Sequence, residues 1–108
     1  MKIVINRCYG GFGLSDQAHS FIAKRKGWQH ACDDYDRDYW LNKENQQVFD
    51  YEIDRADPDL IAVVEELGKL ADGPHAYLKV VNIPDNIQYL IHEYDGLESI
   101  HENHRSWE

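Results

Sequence analysis

The stretch DPDLIAVVEELGKLADG, residues 57 to 73, constrains the chain more than any other. Asp57 is suited to accept hydrogen bonds from the first free amides of a helix, and Pro58 fits the first helical position, where its missing N–H is not needed. Leu60, Val63, Val64, Leu67, Leu70 and Ala71 then recur at helical spacing, and Asp72-Gly73-Pro74 ends the run. An apolar stripe of this kind must be buried against a second layer, so the question is what the flanking segments supply.

They supply strands and one more helix. KIVINRCY, residues 2 to 9, alternates Ile3 and Ile5 against Val4 and Cys8, the pattern of a strand covered on both faces. In NRCYGGFGLSDQAHSF, residues 6 to 21, three glycines lead to Ser15 as an N-cap, with Ala18, Phe21 and Ile22 at helical spacing, and Lys24-Arg25-Lys26-Gly27 forms a helix C-terminus. VFDYEID, residues 48 to 54, sets Phe49, Tyr51 and Ile53 against Asp50, Glu52 and Asp54 and reads as a half-buried strand. AYLKVVNI (76 to 83) reads as another. QYLIHEY (88 to 94), Asp95-Gly96 and LESIHEN (97 to 103) form a hairpin with Ile91 opposite Ile100. That register also opposes Glu93 to Glu98, a repulsion that exposure or separation must relieve. Residues 28 to 47 show no sustained period and read as an irregular connection. The expected architecture is a single α+β domain over residues 1–108. It has one mixed sheet of about five strands in the order β-α-β-α-β-β-β, two helices packed on it and a C-terminal β-hairpin.

At 108 residues the chain can bury one modest core, and with 43% apolar and 12% aromatic residues it should fold. MKIVINRCYGG has only three consecutive apolar positions before Asn6, far short of a signal peptide, and no apolar run is long enough to span a membrane. The expectation is a cytoplasmic protein in which Cys8 and Cys32 are free thiols. Between His30 and Glu66 twelve acids stand against three bases, which accounts for the whole net charge of -9, since the remainder is balanced. An acidic middle argues against direct contact with a nucleic-acid backbone and leaves a protein with a basic surface as the expected partner. The oligomeric state is left open by the sequence.

Two segments could carry function. The turn after the first strand could present backbone amides and a helix N-terminus to a phosphate, with Arg7, Gly10, Gly11, Gly13 and Ser15 as the ligand-binding set. It matches neither known phosphate fingerprint. Gly13-Leu14-Ser15 lacks the lysine of a Walker loop, and Asp16 stands where the dinucleotide fingerprint needs its third glycine. Cys8 beside Arg7 suggests a thiolate, yet a strand puts the two on opposite faces. Asp34, Asp36 and Asp38 match three positions of a calcium loop that then fails at Tyr39 and Asn45. His30 and Cys32, or His101 and His104, offer soft ligands without a second pair at zinc spacing. No catalytic residue, metal or cofactor is therefore expected, and the alternative to a binding protein is phosphate- or nucleotide-type small-ligand binding, or an enzymatic activity, at the glycine-rich turn. The second segment combines Trp28, Tyr35, Tyr39 and Trp40 with Asp33, Asp34, Asp36 and Asp38. Rings among charges are typical of recognition surfaces, although the same rings could cover a small core from the side.

KIVINRCYGGFGLS, DPDLIAVVEELG and YDGLESIHENHRSW together resemble a small uncharacterised protein family associated with bacteriophages and prophage-like regions. The similarity covers both ends and the main helix but not the acidic middle, and it carries no catalytic residues over. It implies a phage-type accessory protein in the cytoplasm of a bacterial host, with inhibition of a host function, antiviral defence included, as its role.

Overall fold

The computed structural model describes residues 1–85, 87–101 and the backbone of 106–107. In chain order the elements are β1 (Lys2–Asn6), α1 (Asp16–Lys26), β2 (Gln29–Cys32), β3 (Asp38–Leu41), α2 (Pro58–Leu67), β4 (Leu78–Asn82), β5 (Leu90–Tyr94), β6 (Leu97–His101) and β7 (Ser106–Trp107). The class is α+β. All strand pairs are antiparallel, and they form three small sheets, β1-β4, β2-β3 and β5-β6-β7, in place of one mixed sheet. The physical reason lies at β1. Its free edge is met by Arg55, whose carbonyl accepts from the Val4 amide at 2.9 Å, so among the described residues no further strand joins there.

β1 is covered on both faces, as its alternation requires. Val4 faces a core shared with Leu14, Ala18 and Ile22 on the α1 side and with Leu60, Val63 and Val64 of α2. Ile3 and Ile5 face the other way, onto Val81, Ile83 and Ile100, with Ile91 packed alongside. The protein is thus layered as helices, the β1-β4 ribbon, and the β5-β6 hairpin, with each β1 side chain assigned to one interface by the strand's two-residue period.

Both helices start and stop where their capping residues dictate. Ser15 Oγ accepts from the Ala18 amide, and Gly27 takes a left-handed conformation (φ 76) that ends α1. Asp57 accepts from the Asp59 and Leu60 amides and Pro58 opens α2. The stripe of α2 is shorter than its sequence suggests. The chain passes into a 3-10 turn at Gly68–Ala71, which buries Ala71 but leaves Leu70 exposed.

Two other segments depart from expectation. Residues 29–41 form a β-hairpin in place of an irregular connection. The VFDYEID segment is a 3-10 turn, Asp50–Glu52, in place of a strand. Its Ile53 is buried, whereas Phe49 and Tyr51 are exposed and stack on each other. Alternation there reflects turn chemistry: Glu52 accepts from the Phe49 amide and Asp50 reaches out to Leu14 and His19.

The C-terminal hairpin has the expected register, with Ile91 opposite Ile100 and Glu93 opposite Glu98. Asp95 and Gly96 both have positive φ, the geometry that matches a two-residue turn to strand twist. The end of the LESIHEN stretch, Glu102 and Asn103, lies outside the described residues. The Glu93–Glu98 repulsion is relieved by separation. Glu98 is buried and forms a two-pronged ion pair with Arg55, Nη1 to Oε1 at 2.5 Å and Nη2 to Oε2 at 2.9 Å. Glu93 turns away to accept from the Gly96 amide. Arg55 also lies 3.5 Å from the centroid of the Phe12 ring.

Removing one member of such a buried pair strands the other, which typically costs about 3–5 kcal/mol. Arg55→Ala is therefore expected to lower unfolding free energy by about 3 kcal/mol in chemical denaturation. Glu98→Gln, which keeps an acceptor for the Asn6 amide, should lose less.

Candidate functional site

The glycine-rich turn is a packing corner. A Cβ on Gly10 would lie 2.1 Å from the His75 carbonyl oxygen, and one on Gly96 would lie 2.4 Å from the Gly11 nitrogen, so two other segments press directly on this loop. Of the five residues of the phosphate reading, Arg7 and Ser15 already make side-chain hydrogen bonds within the chain. Arg7 Nη1 donates to the Glu98 carbonyl at 2.6 Å, on the hairpin side. Ser15 Oγ donates to the Leu70 carbonyl while accepting its cap bond from Ala18. Gly11 has φ 96, and the Gly13 carbonyl accepts from the Gly73 amide. The amide that follows them, Leu14 N, already donates to Asp50 Oδ2 at 3.0 Å, so the chain's own carboxylate takes the position an external anion would. Cys8 is a half-buried free thiol outside both core clusters.

Asp50 also pairs with His19 Nε2. Burial alone would raise this carboxyl, but the hydrogen bond from His19, the Leu14 amide and the His19 charge together hold it below its ordinary value. A depressed carboxyl contributes stability that is present above its unfolded value and lost as pH falls through the lower folded one. Asp50→Asn is accordingly expected to be less stable than the parent protein near neutral pH by about 1–2 kcal/mol. The difference should narrow in acid below the ordinary carboxylate range, read by thermal or chemical melts across pH.

The acidic, aromatic segment is the β2-β3 hairpin. Cys32 pairs with Asp38, Ala31 with Tyr39 and His30 with Trp40, so His30, Cys32, Asp38 and Trp40 share one face while Gln29, Ala31, Tyr39 and Leu41 share the other. Asp33 builds the turn. Its carboxylate accepts from the Tyr35 and Arg37 amides and from Arg37 Nε at 2.8 Å, and Arg37 lies over the Tyr35 ring. The backbone bonds from Arg37, foremost, and Tyr35 keep the Asp33 carboxyl below its ordinary value. Asp36 is in the left-handed region at φ 59, a conformation Asp tolerates better than most residues. The chain then folds back once more: Leu41 bridges Gln47, Val48 N donates to the Trp40 carbonyl, and Asn42 Oδ1 accepts from the Glu44 and Gln46 amides.

Residues 29–48 contribute no member to either core cluster. They form an arm held by its own ladder and turn bonds. Tyr35 is 80% exposed at its tip, beside exposed Asp34 and Asp36, while Tyr39 and Trp40 are half-buried along it. Trp28 differs from the other rings, since it packs against the helix core at the root of the arm. It also lines a cleft of about 580 Å³ with Lys26, Asn42, Gln46 and Asp57.

The acidic middle is not one continuous patch. Asp57 and Asp59 pair with Lys26 and Arg25, Glu65 with Lys2, Asp50 with His19 and Asp33 with Arg37. Asp34 and Asp36 make no side-chain hydrogen bond or ion pair among the described residues, which leaves them as the uncompensated charges at the tip. Sequence reasoning noticed His30 and Cys32 as soft ligands but missed that Asp38 stands beside them. An H-x-C spacing puts both side chains on one strand face, and a hairpin closing at Asp33–Arg37 supplies the third residue.

Comparison with protein-family models, with curated proteins and with solved structures finds no match to this chain. No helix among the described residues is long and apolar enough to cross a membrane.

Proposed function

We propose that this protein is a non-enzymatic binding protein that uses the 29–48 arm to engage a basic surface on a partner protein. The observation that carries the reading is an ordered hairpin that adds nothing to the core yet presents Asp34 and Asp36 beside exposed Tyr35, with Tyr39 and Trp40 behind them. Ordered, exposed rings beside unpaired charge give a partner both contact area and electrostatic steering, and the ordering cost is met before binding. Carboxylates on a hairpin can substitute for phosphates in a basic groove, so a nucleic-acid-handling protein is the kind of partner this chemistry suits, whereas direct contact with nucleic acid is not expected. The resemblance to phage-associated proteins points to a partner in the cytoplasm of a bacterial host and to inhibition of a host function, antiviral defence included. The glycine-rich turn is less suited to a small anionic ligand, because Asp50 already accepts from the Leu14 amide.

The test is affinity capture from bacterial lysate with the parent protein and with Asp34→Lys/Asp36→Asn, whose circular dichroism and melting should match because both residues are exposed and Asn tolerates the left-handed conformation at position 36. The expected result is a captured protein with a basic surface whose retention falls with salt and is lost in the charge-altered variant. Equal capture by both proteins would contradict the proposal.

A further inference from the structure

His30, Cys32 and Asp38 bring an imidazole, a thiol and a carboxylate together with their ligand atoms all within 4.8 Å of one another. The grouping follows from the register: Cys32 faces Asp38 across the ladder, and His30, two residues earlier, shares the same face. His30 Nε2 lies 2.8 Å from Asp38 Oδ1, and Cys32 Sγ lies 3.2 Å from that same oxygen. Trp40, opposite His30, packs against the imidazole in an edge-to-face arrangement with centroids 5.2 Å apart and planes at 64°, which limits the ring's rotation.

From this geometry we infer that His30, Cys32 and Asp38 form a binding site for a divalent transition metal of the zinc type. One nitrogen, one sulfur and one oxygen donor suit a borderline-soft ion, whereas calcium and magnesium take oxygen ligands. A tetrahedral ion bonded at about 2.0–2.3 Å holds its ligand atoms roughly 3.3–3.6 Å apart. The observed separations reach that arrangement by side-chain rotation, with no change of strand register. As the sulfur–metal bond forms, the Cys32 thiol releases its proton to solvent, and Asp38 exchanges its hydrogen bonds with His30 and Cys32 for a bond to the metal.

Three protein ligands leave a fourth position. A cleft of about 240 Å³ beside the site, lined by Asp16, Ser20, His30, Asp38 and Trp40, opens that position to water or a small donor. The ion would cross-link β2 to β3 in an arm that neither core cluster holds, so its effect is to fix the arm's shape.

The test is titration of the reduced, metal-free protein with cobalt(II), followed by absorbance. The expected result is one equivalent bound, with thiolate-to-cobalt charge transfer in the near ultraviolet and tetrahedral bands in the visible, all displaced by zinc. Cys8→Ser should retain these signals and Cys32→Ser should lose the charge-transfer band. His30→Ala and Asp38→Asn should each weaken binding by about tenfold or more, a loss that removal of even a supporting partner brings. The three ligands are exposed, so circular dichroism of the variants should stay unchanged. Absence of charge transfer in the parent protein, its survival in Cys32→Ser, or unchanged affinity in His30→Ala or Asp38→Asn would overturn the assignment.

Discussion

The buried ion pair between Arg55 and Glu98 is the constraint on which the rest of the arrangement depends. Glu98 is the second residue of β6, and its Oε1 accepts both from Arg55 and, at 2.8 Å, from the Asn6 amide at the end of β1. Arg55 in turn donates to the Val4 carbonyl and lends its own carbonyl to the Val4 amide. A buried pair of this kind is worth little against a well-packed apolar substitute, so its value here is in specification. Sliding β6 by one residue would remove Glu98 from Arg55 and Asn6 and at the same time turn Ile100 out of the core. Charge and packing therefore select the same register.

Asn6 carries that constraint into the glycine-rich corner. It is fully buried, its Nδ2 donates to the Cys8 and Gly96 carbonyls, and its Oδ1 accepts from the Tyr77 amide. One side chain thus ties β1, the hairpin turn and the entry to β4 together. The loop between Cys8 and Gly13 must pass through the small space these contacts leave, which explains why Gly10 and Gly96 admit no side chain. A segment that looks like a ligand cradle in the sequence is occupied by the protein itself.

What was legible in the sequence was local. The caps of both helices, the two-faced pattern of β1 and the register of the β5-β6 hairpin each rest on residues close together in the chain, and the α+β class follows from them. Residues 29–41 were not legible as a hairpin because their strand pattern is weak and their turn is built by the Asp33 side chain. The 48–54 segment misleads for a related reason: its alternating acids are turn and capping groups, and Asp50 is drawn to partners 31 and 36 residues away. Arg55 lies 43 residues from Glu98 and no local pattern connects them. The signal that was present is the Glu93–Glu98 opposition, which exposure or separation had to relieve; the partner that draws Glu98 away, Arg55, left no local trace. Of the candidate site, Asp33 to Trp40 lie together on the β2-β3 hairpin, whereas Trp28 packs against the helix core at its root.

The division between a body held by the Arg55–Glu98 network and an arm whose hydrogen bonds, among the described residues, all lie within it is the central claim, because recognition through the arm requires that it be ordered without being part of the core. Native-state hydrogen exchange in small additions of denaturant tests it most directly. The amides of Val4, Asn6 and Arg7 should exchange slowly and by an opening that denaturant promotes steeply, while those of Asp33, Asn42 and Val48, all bonded within the arm, should show protection that denaturant leaves nearly unchanged. If the arm amides share the body's exchange free energy and its denaturant dependence, the two form one cooperative unit and the claim is wrong.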